Sequence, residues 1–457
     1  MSEPSDQWRN WAGDEHCQPA AIELPGSIEE LSAAIATAAR LGLRVRVAGS
    51  GHSFSDIACS DGMLLKLDRL NRVLNVDRVS GLVRVEAGIT IHALNHALAA
   101  QQLAMQNLGD IDVQTIAGAI STATHGTGGR LQNIPSQVVA LTLMLADGSL
   151  LSCSREEDPE TFRAAVVSLG ALGVIVEVTL QCVPAFNLDG FDTTAPLMET
   201  LERFDELVAG NDHFELYAFP YAPLALTRTN NRTDRPAKPP GSVSSYLNDV
   251  LLTNHAFGVL CRLGRRAPRQ IPRINRLVTK LAGSRRRIDR SDKIFASPRL
   301  VRFTEMEYSL PRQHTPEAVR QVMAMIAKQR LAVPFPIEVR TVACDDAFLS
   351  TANRRDSGYV AVHMFEGMQW RGYFEAVEQI MLGLEGRPHW GKRHFQTAET
   401  LRPRYPDWDR FLAVRARLDP QGVFANAWID RVLGPVRTPA EAGAEAEAEA
   451  EAEAEVR

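Results

Sequence analysis

The sequence predicts an α+β fold in two units, one over residues 8–185 and a second over residues 186–436. Its 457 residues are too many for a single hydrophobic core. In both halves, short strand patterns alternate irregularly with helical periodicity, which does not indicate a regular series of βαβ units. Pro184 ends the first unit, and the pattern changes after Phe186.

The first unit opens with a helix followed by a strand. Ser27 and Glu30 form a capping box for a helix that starts at Ile28, and Gly42 closes that helix. A strand then leads from Arg44 into a glycine turn. The remaining predicted elements are strands at Met63–Leu67, Val73–Val76, Leu82–Glu86 and Val174–Val183, a hairpin of Val138–Ala146 with Ser149–Ser152, helices at Thr90–Ala100 and Glu160–Ser168, and a glycine-rich loop at Asn107–Arg130.

The second unit again mixes helices and strands. The predicted elements are helices at Leu197–Val208, Thr315–Gln329 and Tyr373–Leu384, strands at Phe214–Phe219, Phe335–Val342 and Tyr359–Met364, and a loop at Thr229–Ser245. Residues 262–293 are rich in arginine and predict an amphipathic basic helix with a loop. This segment is either a solvated helix face or a contact for an anionic membrane surface or an acidic electron-transfer partner.

Charge and cysteine content exclude several classes of protein. The net charge of −5 resides in the Ala/Glu tail, residues 437–457, which has no apolar face and is expected to be disordered. The remainder is close to neutral, so no binding of nucleic acid is expected. The six cysteines have no C-x-x-C spacing, which argues against a zinc site or a disulfide framework. No signal peptide or membrane span is evident, and we expect a cytoplasmic protein that is either free or peripheral to the membrane.

The segment Arg44–Asp56 carries the strongest local signal. An alternating strand runs into Gly49-Ser-Gly-His52, where backbone N–H groups can face an anion. A Rossmann fingerprint requires a third glycine, and Phe54 stands in its place. A plain tight turn and a cradle for another phosphate-bearing cofactor both remain open.

Further glycine segments favour the cofactor. Gly88, the run from Gly118 to Gly129, and Gly170 with Gly173 all stand where strands or helices end. Glycine costs about 0.5 to 1 kcal/mol inside regular elements, so its repeated use suggests a close approach of backbone to a ligand. Small hydroxyl residues among these glycines, such as Thr122 and Thr127, can hydrogen-bond a flat cofactor without crowding it.

Four motifs together resemble one family. They are G-S-G-H-S-F-S from Gly49, N-L-G-D-I-D-x-Q-T-I-A-G-A from Asn107, A-T-H-G-T-G from Ala123, and His389-Trp-Gly-Lys392. The chain resembles, over residues 8 to 434, the sugar-1,4-lactone oxidases and dehydrogenases of the vanillyl-alcohol-oxidase flavoprotein superfamily. The L-gulono-1,4-lactone and D-arabinono-1,4-lactone types are most similar, with alditol oxidase a near cousin.

This resemblance implies a two-lobed FAD-binding domain of the PCMH type followed by a substrate cap. It also implies that His52 is joined covalently to the flavin. Such a bond would prevent cofactor loss and raise the flavin potential. The expected cofactor-binding residues are Gly49, Ser50, Gly51, His52, Ser53, Gly88, Gly118, Thr122, Gly126, Thr127, Gly170, Gly173 and Val174.

Four residues are candidates for the substrate chemistry. Glu338 and Arg340 lie two residues apart on a predicted strand, so both side chains point to one face. There they could bind the oxygens of a polyol or lactone. Without the resemblance, a buried ion pair is the competing interpretation. Lys392 could balance charge on the reduced flavin, or be an ordinary surface lysine. Asp110 falls in the segment that the resemblance places against the flavin ring and mildly favours a lactone.

The resemblance therefore implies an FAD-dependent oxidoreductase acting on the CH–OH group of an aldono-1,4-lactone, by hydride transfer to flavin N5. L-gulono- or L-galactono-lactone would yield an ascorbate precursor, and D-arabinono-lactone its five-carbon analogue. Electrons would pass to oxygen or to a protein or quinone acceptor. The alternatives are an alditol oxidase, or a flavin-binding interaction protein without turnover whose working part is residues 262–293.

Overall fold

A computed structural model of the protein describes residues 7–239, 256–297 and 299–436. The acidic tail predicted at 437–457 lies outside the described residues, as does the second part of the predicted loop Thr229–Ser245. Within these ranges helices and sheets alternate, and the predicted α+β class is confirmed.

Most strands belong to three larger sheets. In chain order they are β1 (Trp8–Arg9), β2 (His16–Cys17), β3 (Ala21–Glu23), β4 (Val45–Ala48), β5 (Met63–Lys66), β6 (Val73–Asp77), β7 (Leu82–Glu86), β8 (Leu103–Ala104), β9 (Val138–Met144), β10 (Leu150–Ser154), β11 (Val174–Gln181), β12 (Val183–Pro184), β13 (Asn187–Pro196), β14 (His213–Ala218), β15 (Leu224–Thr233), β16 (Arg285–Arg290), β17 (Phe303–Pro311), β18 (Ile337–Val342), β19 (Ser357–Phe365) and β20 (Arg387–Pro388).

The helices lie between these strands and at the C-terminal end. They are α1 (Ile28–Arg40), α2 (Ile91–Ala100), α3 (Ile116–Ser121), α4 (Pro159–Ala165), α5 (Leu197–Glu202), α6 (Phe204–Ala209), α7 (Phe257–Arg266), α8 (Ile271–Leu281), α9 (Ser291–Phe295), α10 (Thr315–Gln329), α11 (Arg371–Gly383), α12 (Ala398–Leu401), α13 (Trp408–Leu418) and α14 (Ala427–Leu433). No helix in the described ranges is long and apolar enough to span a bilayer.

The N-terminal part contains two sheets that flank the glycine turn. Strands β3 and β4 both pair in parallel with β5, and α1 makes the crossover between them. The predicted N-cap of α1 is confirmed, since Ser27 Oγ accepts from the Glu30 amide at 3.2 Å. The second sheet, in the order β10-β9-β11-β7-β6, is antiparallel and includes the predicted hairpin β9–β10. The turn after β4 therefore lies between a parallel and an antiparallel sheet.

An eight-stranded sheet dominates the second part. Its order is β16-β13-β15-β14-β18-β19-β17-β20, and its strands pair antiparallel. One face packs against α10 and α11, with Val322 and Phe374 in the same core cluster as Val339 and Val362. Residues on the opposite face, one position away along each strand, are free to line a site.

The C-terminal helices pack with the N-terminal part. Phe411 in α13 and Trp428 in α14 share a core cluster with Phe162 and Val178 from the first 185 residues. The C-terminal helices thus pack with the first part of the fold, although they follow the second part in the sequence. The domain boundary predicted at residues 185/186 stays a prediction.

Four sequence-based element assignments were wrong. The predicted loop Asn107–Arg130 contains the helix α3, whose N-cap Thr115 accepts from the Gly118 amide. Strand β15 replaces the first part of the predicted loop Thr229–Ser245, because β13 and β14 pair with it on both sides and tertiary pairing overrides local composition. The helix predicted at Leu197–Val208 is broken into α5 and α6. Residues 262–293 form α7, α8, β16 and α9 in place of one helix with a loop.

Candidate active site

Two cavities meet at the glycine turn that follows β4. The larger has a volume of about 800 Å³ and the smaller about 100 Å³. His52, Ser53, Gln114 and Thr122 line both. A single elongated ligand could therefore extend from one cavity to the other past His52.

Glycine segments supply much of the lining of the smaller cavity. Among the predicted cofactor residues it is lined by Gly49, Ser50, Gly51, His52, Ser53, Gly88, Gly118, Thr122, Gly170 and Gly173. Gly51 has a φ of +71° and Gly170 a φ of +66°, conformations that other residues rarely adopt. A Cβ at Gly88 would overlap the carbonyl oxygen of Leu67. The chain at these positions is therefore packed closely enough to require glycine.

Arg46 holds the loops around the smaller cavity together. Its guanidinium donates to the carbonyl oxygens of Leu169 at 2.9 Å, Phe424 at 2.7 Å and Ile57 at 2.8 Å. Burial, together with the charge of Arg415, lowers the pKa of Arg46 to about 10. Because its donors are used by backbone carbonyls, Arg46 positions the walls of this cavity.

Three predicted cofactor residues line neither cavity. Val174 is fully buried in a hydrophobic cluster, and a Cβ at Gly126 would overlap the carbonyl oxygen of Leu108. Thr127 Oγ1 donates to the carbonyl of Phe214 at 2.8 Å and accepts from the amide of Thr341 at 3.2 Å. Cofactor contact by these three residues stays a prediction.

All four predicted substrate residues, Glu338, Arg340, Lys392 and Asp110, line the larger cavity. Strand register explains why Glu338 and Arg340 lie near other polar side chains in this cavity. Tyr217, Glu338, Ala361 and Glu307 lie side by side across β14, β18, β19 and β17. Directly paired residues share a face of the sheet, so this row points away from the helix-covered core. The small side chain of Ala361 leaves room between the two carboxylates.

Asp110, Arg299, Glu338 and Arg340 form a charge cluster in which Arg340 is buried and the other three are partly buried. Arg340 is ion-paired with Glu338 and lies 3.2 Å from Asp110 Oδ2, and Asp110 is also ion-paired with Arg299. Burial and the charge of Asp110 raise the pKa of Glu338 in spite of Arg340. Although burial opposes it, the two arginines hold the pKa of Asp110 well below its usual range. Asp110 is thus a permanent anion, and Glu338 is the carboxylate better suited to take a proton.

Lys392 forms a second charged group with Glu305 and His363. Its Nζ lies 2.5 Å from Glu305 Oε2, and His363 Nε2 lies 3.5 Å from the other oxygen of Glu305. Burial acts to lower the pKa of Lys392, but the charges of Glu305 and Glu307 raise it. Lys392 is therefore a fixed cation at the cavity wall.

Two further histidines, His125 and His363, are buried and each has a buried partner. His125 Nε2 lies 3.2 Å from Glu307 Oε1, and its ring stacks on Tyr359. His389 lies beside this pair, with its Nδ1 accepting from the amide of Gly391 at 3.1 Å. Burial lowers the pKa of His389 to about 3 in spite of Glu307, so this imidazole is neutral.

His52 lies where the turn meets the C-terminal segment. Its ring stacks on Trp11 at 5.2 Å between centroids, and the amide of Phe54 donates to the carbonyl of Gly391 at 2.7 Å. Burial and the positive charge of Lys392 lower the pKa of His52 to about 4. The imidazole is therefore uncharged near neutral pH, the state in which it is nucleophilic.

Sequence reasoning missed Arg46, Arg299, Glu305 and Glu307. A signal existed for the glutamates, because Glu305 and Glu307 alternate with apolar residues on one strand and so share a face. Arg299 does not belong to any predicted helix or strand, and it lies 189 positions from its partner Asp110 in the sequence. No local feature of the sequence predicts that contact.

Comparison with known proteins decides the family. Residues 178–432 match the family model described as D-arabinono-1,4-lactone oxidase, and residues 19–154 match an FAD binding domain. The chain belongs to the D-arabinono-1,4-lactone oxidase family. The expected recognition is thereby confirmed, as is the expectation of an FAD-dependent oxidoreductase.

Relatives of this family are similar over nearly their whole length. An L-gulono-1,4-lactone dehydrogenase of Mycobacterium tuberculosis is 52% identical over 428 residues, covering 94% of this chain and 99% of that protein. An L-gulonolactone oxidase of Bos taurus is 36% identical over 433 residues, covering 93% and 98%. A cholesterol oxidase structure from B. sterolicum aligns with a TM-score of 0.79 over 94% of this chain and 97% of that one. At 17% identity it shows the fold alone.

The two cavities fit FAD. The smaller one is lined by glycine segments whose backbone can approach a ligand closely, as a pyrophosphate requires. Gln114 lines both cavities, and its buried Oε1 has no hydrogen-bond partner among the described residues. An acceptor in that position suits a ligand that carries its own N–H groups, as a flavin does.

Substitution of Thr127 tests whether this residue contacts the cofactor or only stabilises the fold. Thr127→Val removes both hydrogen bonds at constant shape and leaves two buried backbone groups unpaired. We expect the free energy of unfolding to fall by about 1–3 kcal/mol, measured by urea denaturation. The FAD content of the purified protein should not change.

The matched control is Thr142→Val, because Thr142 is only partly buried and hydrogen-bonds to Ser152 on the neighbouring strand. It should change stability by no more than about 0.5 kcal/mol. Loss of FAD from Thr127→Val with unchanged stability would show that Thr127 acts on the cofactor and not on the scaffold.

Proposed function

We propose that this chain oxidises the secondary alcohol of an aldono-1,4-lactone, such as L-gulono-, L-galactono- or D-arabinono-1,4-lactone, with FAD as its cofactor. Electrons would leave to oxygen or to another acceptor. One observation carries the substrate assignment: Glu338 and Arg340 project from one face of β18 into a cavity whose wall bears His52 and Lys392. The activities for which the relatives are named support the choice of lactones.

Glu338 is the proposed proton acceptor for the substrate hydroxyl. Its raised pKa makes the carboxylate a stronger base than an exposed glutamate, and the charge of Arg340 beside it opposes that rise. Removing this proton lets the carbon–oxygen double bond form as hydride leaves the same carbon. When bound, FAD supplies the acceptor for that hydride.

Arg340 is the proposed binder of lactone oxygens. It is buried, lines the larger cavity, and its Nε has no acceptor among the described residues. An unpartnered buried donor is costly, and a substrate oxygen would satisfy it. Asp110 and Arg299 flank Arg340 and restrict where that oxygen can lie.

Lys392 and His52 are the proposed residues on the flavin side of the site. A fixed cation at Lys392 favours negative charge next to it and would therefore assist reduction of the cofactor. His52 is the proposed covalent tether. Its position between the two cavities, its neutral imidazole and its place in the G-x-G-H-S turn support this assignment.

A substrate panel tests the proposed function. The holoprotein would be mixed under anaerobic conditions with the three lactones and with a set of alditols, and flavin absorbance followed. We expect at least one lactone to bleach the flavin, and Glu338→Gln to slow this by roughly 10²- to 10⁴-fold because the base is lost.

The matched control is Glu177→Gln, since Glu177 lies on β11 and lines neither cavity. It should leave the reduction rate unchanged. Bleaching by alditols alone would assign an alditol oxidase, and bleaching by no compound would leave a flavin-binding protein without this activity. Repeating turnover with oxygen and with an artificial dye then separates an oxidase from a dehydrogenase.

Covalent attachment has a direct test. After acid precipitation of the parent protein, we expect the flavin absorbance in the pellet, and after precipitation of His52→Ala in the supernatant, because the bond to the protein is absent. His96→Ala is the control, since His96 is an exposed histidine that lines neither cavity. Free flavin in the parent supernatant would refute the tether.

The pH dependence of turnover should follow Glu338. Because the pKa of Glu338 is raised, kcat/KM should fall with decreasing pH at a value above the ordinary glutamate range. The negative charge of Asp110 contributes to that shift, so Asp110→Asn should move the acidic limb to lower pH. Asp68→Asn, at an exposed carboxylate outside the cavities, is the control. An unmoved limb in Asp110→Asn would argue against Glu338 as the titrating base.

A further inference from the structure

The larger cavity has two ends of different chemistry. One end carries the charged residues described above. The other is an apolar arm lined by α7 and α8, through Phe257, Leu260, Ile274, Leu277, Val278 and Leu281. An aldonolactone carries hydroxyl groups on most of its carbons, and burying them against these side chains would leave them without partners. The arm therefore suits a second, apolar ligand.

The apolar arm opens at the protein surface. Leu277 and Leu281 line the cavity, yet they are 52% and 72% exposed. Val259 and Leu263 on α7 are also close to half exposed. Of twelve large hydrophobic residues that are exposed in the described ranges, four thus lie on this one helical hairpin. Large apolar side chains grouped in this way mark an interaction surface.

The same hairpin is strongly basic. Residues 257–281 contain seven basic side chains and no acidic one. All seven are exposed: Arg262, Arg265, Arg266, Arg269, Arg273, Arg276 and Lys280. Within the described ranges, no acidic side chain lies within ion-pair distance of any of them. The positive charge is therefore available to an external anionic partner.

We propose that the hairpin α7–α8 docks on an anionic lipid bilayer and admits a lipid-soluble quinone through the apolar arm, as the electron acceptor of the oxidation. This inference rests on the proposed function. Exposed leucines flanked by arginines are typical of helices that lie in a membrane interface. An acidic protein partner would account for the arginines, but not for leucines placed around the opening of a cavity.

The electron balance requires no further reactant. Oxidation of the lactone alcohol to a ketone releases two electrons and two protons, and reduction of a quinone to a quinol consumes the same number. The larger cavity is continuous from Leu281 to Lys392. A quinone ring could thus reach the wall that bears His52 while its apolar tail remains in the arm.

Co-sedimentation with vesicles tests the docking surface. We expect the full-length holoenzyme to sediment with vesicles of phosphatidylcholine and phosphatidylglycerol, but not with phosphatidylcholine alone. The triple variant Arg266→Glu, Arg269→Glu, Arg273→Glu should bind the anionic vesicles at least roughly tenfold more weakly. The control triple variant Arg9→Glu, Arg40→Glu, Arg78→Glu makes the same charge change at exposed positions of the N-terminal part and should bind as the parent does.

Quinone reduction tests the apolar arm. With a long-chain ubiquinone in the anionic vesicles, we expect lactone-dependent quinol formation by the parent. The variant Leu277→Ser, Leu281→Ser should reduce this rate several-fold and leave the rate with a water-soluble dye unchanged. The dye rate reports the proposed function separately, because a water-soluble dye needs neither vesicles nor the apolar arm.

The outcomes are distinguishable. Failure of every lactone to reduce the dye would refute the proposed function, whatever the vesicles show. A normal dye rate without vesicle binding, or without quinol formation on bound vesicles, would overturn this inference alone. If charge reversal leaves vesicle binding intact but slows transfer to an acidic acceptor protein, the hairpin is a protein-docking surface and the lipid assignment is wrong.

Discussion

Placing charged side chains inside a protein is costly unless opposite charges lie beside them, and this constraint organises the site. On one face of the eight-stranded sheet, each carboxylate in the cavity wall has a partner next to it. Glu338 is paired with the cation Arg340, Glu305 with the cation Lys392, and Glu307 with the imidazole of His125. Removal of any one partner would leave a buried charge uncompensated. The charges therefore hold one another in place and surround the cavity with fixed, oriented groups.

This arrangement produces different proton affinities from similar residues. Asp110 lies between Arg299 and Arg340 and is held as an anion, whereas burial and Asp110 itself raise the pKa of Glu338. Two carboxylates a short distance apart can thus take separate roles, one structural and one in proton transfer. Burial, together with the charge of the nearby Lys392, lowers the pKa of His52 and keeps its imidazole neutral.

The site also depends on connections that cross the fold. The amide of Phe54, directly after the glycine turn, donates to Gly391 in the C-terminal segment, and Arg46 ties loops from three parts of the chain. These contacts bring the FAD-binding part and the sheet together at His52. Two family models match these two parts of the chain separately. The FAD binding domain model covers residues 19–154, and the D-arabinono-1,4-lactone oxidase model covers residues 178–432.

The sequence by itself determined the features that depend on local periodicity and backbone conformation. The turn with Gly51 at positive φ, the capped helix α1, the hairpin β9–β10 and the shared face of Glu338 and Arg340 were all predicted correctly. Local rules suffice there, because a strand alternates its side chains every two residues and a positive φ selects glycine.

Only the tertiary structure decided which distant residues meet. The side chain of Thr127 joins Phe214 to Thr341, two residues far from it in sequence. The partner of Asp110 is Arg299, 189 positions away, and β15 forms because two strands pair with it. Such contacts depend on sheet register and on the compensation of buried charge, which are properties of the assembled chain. No window of the sequence contains that information.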